Sequence, residues 1–235
     1  MNGQTGRRAD GQTGTGRTMR LAALWLMLPA VTAAQGTATP PTLGANRAGR
    51  LSERARQDRE IVYFLQPPET HSFDLYHDYT ESRPGVDRYM NIVRGGSKAS
   101  NPSAVILDTG EQLRVETLKG NAITAAKIDI GEPVTPESEV VLIHFPAVKQ
   151  GQSVRLRIRE TYTDPGRYGM VGEELVWDRA FGRPANAMVL PQGYYLTNSS
   201  IPATVHLHED GRVVLDFVNP RNDNVEVLIT ARRRR

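Results

Sequence analysis

Arg155, Arg157 and Arg159 occupy alternate positions in the stretch SVRLRIRETYT, with Val154, Leu156 and Ile158 between them. On an extended strand that spacing lines three guanidinium groups along one face, about 7 Å apart. Two chemistries fit. One is a groove for an anionic ligand, such as a phosphate, a carboxylate or an acidic loop, held by bidentate arginine contacts. The other is a solvated sheet face, in which acids across the ladder, with Glu174 and Asp178 as candidates, relieve the repulsion between like charges. Either way Leu156 is expected inside and Arg157 outside.

His206 and His208, separated by one residue, place two imidazoles on one strand face, and Asp216 is positioned to complete a metal site of nitrogen and oxygen ligands. Arg212 opposes such a site, because a cation opposite His208 repels a metal ion. Trp177 and Tyr194, with Tyr162, Tyr168 and Tyr195 nearby in sequence, are candidates for a sugar-stacking surface. Aromatic residues make up only 6% of the chain, however, so most of them are needed for the core.

No catalytic residue is assigned. The sequence has no Gly-x-Ser-x-Gly, His-Glu-x-x-His or phosphate-binding glycine loop. Glu173 and Glu174 point to opposite faces if extended, whereas glycoside hydrolysis needs two carboxylates facing one bond. His144 is expected to be a hydrogen-bonded core histidine, and His71 and His77 flank a strand without a nucleophile at a recognisable spacing. No cofactor is implied.

The elements that must hold these groups are strands. From Ile61 onward, short alternating or continuous apolar runs are separated by Gly, Pro, Asn and Asp. Strands are expected at 61–65, 72–80, 86–94, 103–107, 112–118, 123–130, 139–145, 153–164, 174–181, 187–196, 202–208, 212–218 and 224–231. In 72–80, Phe73, Leu75, His77 and Tyr79 alternate with Ser72, Asp74, Tyr76 and Asp78. EVVLIHF, residues 139 to 145, is apolar almost throughout and suits a central strand covered on both faces. GEPVTPESE, residues 131 to 139, contains two prolines and is either an internal domain boundary or a crossover loop.

One hairpin can be read to register. In TVHLHEDGRVVLDFV, a three-residue loop Glu209-Asp210-Gly211 pairs His208 with Arg212. That register puts Val205, Leu207, Val213, Leu215 and Phe217 on one face and both histidines on the other, separating polarity better than a two-residue turn.

Residues 19–34, MRLAALWLMLPAVTAA, have a basic start, an apolar run and small residues at the end, the pattern of a secretory signal peptide. Residues 1–18 are expected to be a disordered extension or to lie upstream of the true start at Met19, and 35–60 to be a linker. The folded domain is expected over 61–231, with 232–235 as a basic tail. Removing 1–34 takes away four arginines and one aspartate of the 29 basic and 26 acidic residues, leaving 25 of each. A neutral body does not suit nucleic acid. No membrane span is expected after signal cleavage. With no cysteine, disulfides and thiolate chemistry are excluded and stability rests on an apolar core.

The segment VVLIHFPAVKQGQSVRLRIRETYTDPGRY, followed by ELVWDRAFGRPANAMVLPQGYYL, resembles the uncharacterised β-sandwich domain that precedes transglutaminase-like domains in exported bacterial proteins. The resemblance lies in the turn at Phe145, Pro146, Val148 and Gly151, the strand after it, and an aromatic strand leading into Val189-Leu190-Pro191 and Gly193. It spans about residues 110 to 200 and implies a two-sheet fold with no chemistry of its own, and no catalytic Cys-His-Asp domain is expected behind it. The expected protein is an all-β, antiparallel two-sheet β-sandwich behind a signal peptide and linker. It is expected to be exported to the periplasm or the outside of the cell, as a non-catalytic interaction module whose partner is an envelope protein or a glycan. The alternatives are a carbohydrate or anionic-ligand binding protein and, last, a hydrolase.

Overall fold

The computed structural model describes residues 59–221 and 223–235, and nearly every alternating segment in that span is a strand. The strands are β1 (Arg59–Leu65), β2 (Ser72–Glu81), β3 (Arg88–Val93), β4 (Lys98–Ile106), β5 (Arg114–Lys119), β6 (Glu139–His144) and β7 (Val154–Thr163). They continue with β8 (Tyr168–Val171), β9 (Glu174–Phe181), β10 (Ala185–Val189), β11 (Tyr194–Ser199), β12 (Thr204–Leu207), β13 (Val213–Val218) and β14 (Val225–Arg233). The protein is an all-β sandwich. Seven strands form the main sheet in the order β12-β13-β10-β1-β2-β7-β4, and two smaller sheets run β11-β14-β9-β8 and β3-β6-β5. Pairing is antiparallel except between β1 and β10, which run parallel in the middle of the main sheet.

Period-two burial explains the layering. Ile61, Tyr63 and Leu65 of β1, Phe73 and Leu75 of β2, and Leu156 and Ile158 of β7 all face one shared core. Trp177 and Phe181 of β9 and Ile229 of β14 meet them from the four-stranded sheet, and Val141 and Ile143 from the three-stranded one. β6 is covered on both sides, as its unbroken apolar run requires. Val140 and Leu142 turn the other way, into a second cluster with Ile123 and Ile130.

Several expectations are corrected. Residues 123–130 form no strand; the chain makes a short helix α1 (Asn121–Ala125) that buries Ile123, in keeping with the helix preference of its alanines. The expected strand 187–196 is two strands, because Pro191 cannot donate to a ladder and Gly193 turns the chain at φ +79°. β8 was not anticipated, and β4 begins before its expected start. Residues 131–139 are not a boundary. The described residues belong to one compact unit, and Val134 packs on the cluster outside β6; nor is the segment a crossover, since it leads from α1 into β6, which pairs directly with β5 in the same sheet. The tail is partly strand, since β14 runs through Arg233 and Arg234 N donates to Gly193 O (2.7 Å). Arg59 and Glu60 belong to β1 rather than a linker. The remainder of the expected linker, the signal segment 19–34 and residues 1–18 lie outside the described residues.

Candidate functional site

The arginine row forms as expected, but its counter-ions differ. Leu156 is fully buried and Arg155 and Arg159 are exposed on the opposite face. The partners are not Glu174 and Asp178, which lie on β9 in another sheet; there Glu174 accepts from Thr197 Oγ1 (2.8 Å) and Asp178 lies 3.8 Å from Arg167. β7 lies between β2 and β4, and the β2 side places Asp78 opposite Arg157. Arg157 donates through Nε and Nη2 to the two carboxylate oxygens of Asp78 (2.7 and 2.6 Å) and stacks on Tyr76 at 4.3 Å. Arg155 reaches Asp108 at 3.3 Å. The central fork of the row is therefore occupied within the chain.

The aromatic surface does not assemble. Trp177 is fully buried, edge-on to Tyr63 with ring centres 5.1 Å apart, and Tyr162, Tyr168 and Tyr194 are buried as well. A sugar cannot stack on rings enclosed in the core. The metal constellation does not assemble either. His206 Nδ1 lies 3.1 Å from Asp216, while His208 Nδ1 lies 3.0 Å from Asp210, which also binds Arg212 (2.8 Å). Among the described residues, no three His, Cys, Asp or Glu side chains are grouped to hold a metal ion. His144 is part-buried rather than a core residue and contacts Arg114 and Glu116 on β5.

What the fold does bring together is a polar cleft over the inner face of the main sheet. The ladder aligns Ile61, His77 and Ile158 in one row and Tyr63, Leu75 and Glu160 in the next. His77 and Glu160 are thus diagonal neighbours in an otherwise apolar floor. Above them, β3 of the three-stranded sheet supplies Tyr89 and Asn91, while β9 and the turn after it supply Arg179 and Arg183. The space enclosed is about 70 Å³.

Each wall is held by its own contacts. Arg183 Nε donates to His77 Nε2 (3.1 Å) and Nη2 donates to Tyr89 Oη (3.3 Å). Arg179 sits 5.0 Å from the Phe73 ring centre and pairs with buried Asp164 at 3.1 Å, which Arg94 reaches at 3.2 Å. Asn91 Nδ2 donates to Glu160 Oε2 (2.7 Å), but Glu160 Oε1 is buried without a partner. Burial pushes the Glu160 carboxyl above the ordinary carboxylate range, against the opposing pull of Asn91 and Arg183. Burial likewise raises the Tyr162 phenol.

Of these groups, only His77 and Tyr162 were singled out from sequence, and neither for this role. A signal was available: His77 and Glu160 both fall on the inward, apolar phase of their strands.

The chain matches no family model and no curated protein. Among solved structures it is similar to the M1 zinc metallopeptidase from Deinococcus radiodurans, with a TM-score of 0.44 and 13% identity over 73% of this chain and 40% of that one. It is also similar to a two-domain M1 zinc metallopeptidase mutant bound to L-tryptophan, with a TM-score of 0.43 and 14% identity over 73% of this chain. This chain spans about 41% of the length of that structure. Nothing about activity follows from a likeness at this level.

Proposed function

We propose that the protein is a non-catalytic, exported β-sandwich interaction module of the cell envelope, and that β12 is the strand on which its partner docks. Export rests on the expected signal segment 19–34. The observation that carries the docking role is the condition of β12, which ends the main sheet with Val205 and Leu207 52% and 65% exposed.

The register sets what such a partner must be. His208 N donates to Arg212 O (2.8 Å), so in the antiparallel alternation Thr204, His206 and His208 turn their backbone groups toward β13. Val205 and Leu207 turn theirs outward. An extended segment of an envelope protein, apolar at alternate positions, satisfies those backbone groups and covers both side chains by strand addition.

The opposite edge of the sheet is treated differently. β4 carries Pro102 and a break in register between Ser100 and Ser103, devices that block further pairing. β12 has neither.

The test compares the wild-type protein with Leu207→Lys in capture from envelope extract followed by mass spectrometry. The lysine variant is expected to fold normally, since the position is exposed, and to lose one or a few proteins that the wild type retains. An unchanged set of captured proteins overturns the edge as the docking element.

A further inference from the structure

We propose that the cleft between the two smaller sheets binds the carboxylate of a small organic acid, held between the Arg183 guanidinium and the Glu160 carboxyl. This site is independent of the β12 edge.

Two observations point to it. Arg183 lines the cleft with hydrogen bonds to His77 and Tyr89, and has no carboxylate at ion-pair distance among the described residues. A guanidinium in such a place favours an anion. Glu160, which lines the same cleft, is 4% exposed, and its Oε1 atom is buried with no hydrogen-bond partner. A buried oxygen left unpaired is costly, and a ligand that completes its bonding removes that cost.

The two needs are met by one group. A carboxylate accepts from Arg183 on one side, and from the O–H of protonated Glu160 on the other. The space of about 70 Å³ is small and suits a carboxylate carrying a short apolar stub against Ile61, Leu75 and Ile158. Arg179 adds positive charge on the β9 side, tempered by Asp164. A cationic ligand meets both guanidinium groups and is disfavoured.

The arrangement makes binding pH-dependent. From β1 and β2 Glu160 faces Tyr63 and His77, from β3 Tyr89 and Asn91, and from its own strand Tyr162. Arg179 and Arg183 face it from the β9 side, and Glu139 of β6 acts on it at longer range while bound to Lys119 (2.8 Å). A ligand carboxylate beside Glu160 favours the protonated side chain, so binding takes up a proton and weakens as pH rises.

The experiment titrates the full chain by NMR with acetate, with N-acetylglycine as a mimic of a peptide C-terminus, and with acetamide and methylammonium as controls, across a pH series. Acetate is expected to shift the Asn91 side-chain amide and to bind more weakly as Glu160 ionises. Arg183→Met should weaken binding by about tenfold or more, the scale for loss of a charged hydrogen bond. Glu160→Gln always offers an N–H, and should retain binding while losing the pH dependence. Acetate should bind at least as well as N-acetylglycine; clearly stronger binding of N-acetylglycine overturns the assignment to a small free acid in favour of a chain terminus. Equal binding of acetamide, undiminished binding by Arg183→Met, or a pH dependence that persists in Glu160→Gln overturns the proposal. Because Arg183→Met alters a packed side chain, its melting curve is compared with the wild type, and the Glu160→Gln pH profile is an independent arm.

Discussion

Glu81, at the end of β2, and Glu160, on the adjacent β7, are both buried, yet their environments act in opposite directions. Burial alone would raise Glu81, but hydrogen bonds from Arg83 (3.0 Å from Nε, 2.7 Å from Nη2), from Tyr79 and from the Arg83 backbone bring it down to about 2. Its contribution to stability is complete above the ordinary value of 4.5 and is lost as pH falls toward about 2. Glu160 is raised by burial, so the folded state favours its protonated form; that preference helps below the ordinary value and is lost as pH rises. Urea titrations across pH should therefore separate two variants. Glu81→Gln is expected to be less stable than wild type near neutrality, with the gap closing in acid. Glu160→Gln should compare worst with wild type in acid and improve relative to it as pH rises; a constant gap for either would contradict its assignment. The cleft was only half legible in the sequence. A charged residue on the inward phase of a strand marks Glu160, and His77 is marked in the same way. What brings Arg183 and Asn91 to them is the packing of β9 and β3 over the main sheet, and local periodicity carries no information on which sheet covers which.

The β12–β13 hairpin shows how far local chemistry reaches. The expected register is the observed one: Val205 opposes Leu215, Leu207 opposes Val213, and Gly211 turns at φ +81°. Polarity segregation and a single left-handed position were enough to set it. A methyl at Gly211 meets no neighbour within 4 Å, so substitution there acts through the backbone alone. Gly211→Ala is expected to cost about 1 kcal/mol and Gly211→Asn less, because asparagine tolerates the left-handed region. Urea midpoints measure both; equal values for all three would mean the turn relaxes. The same pattern misplaces the burial of β12, whose apolar residues face inward but lie exposed. Alternation reports which face a side chain is on, and an edge strand can present that face to water. Short strands interrupted by Pro or Gly were the other loss. β8 has four residues, and β4 runs through Asn101-Pro102, a pair that looks like a turn in sequence.

The three sheets share one continuous core, so they are expected to unfold together. Far-UV dichroism and the fluorescence of Trp177, the tryptophan within the described residues, should give coincident urea transitions. Leu156→Ala, at a fully buried position in the shared core, should cost about 2–5 kcal/mol without splitting the transition. Separate midpoints for the two signals would show that one small sheet melts alone. The fold class was legible because every layer repeats the same two-residue period, whereas the sheet order was not. β1 is the clearest case, since it lies between β2, next in sequence, and β10, where Ile61 aligns with Asn186. The first described strand therefore waits for one made far later in synthesis. Until residues near 189 have left the ribosome, β1 lacks one of its two ladder partners, and a nascent or truncated chain ending before β10 presents a sticky, half-paired template. High contact order of this kind slows folding and leaves the unfinished chain in need of a holding chaperone.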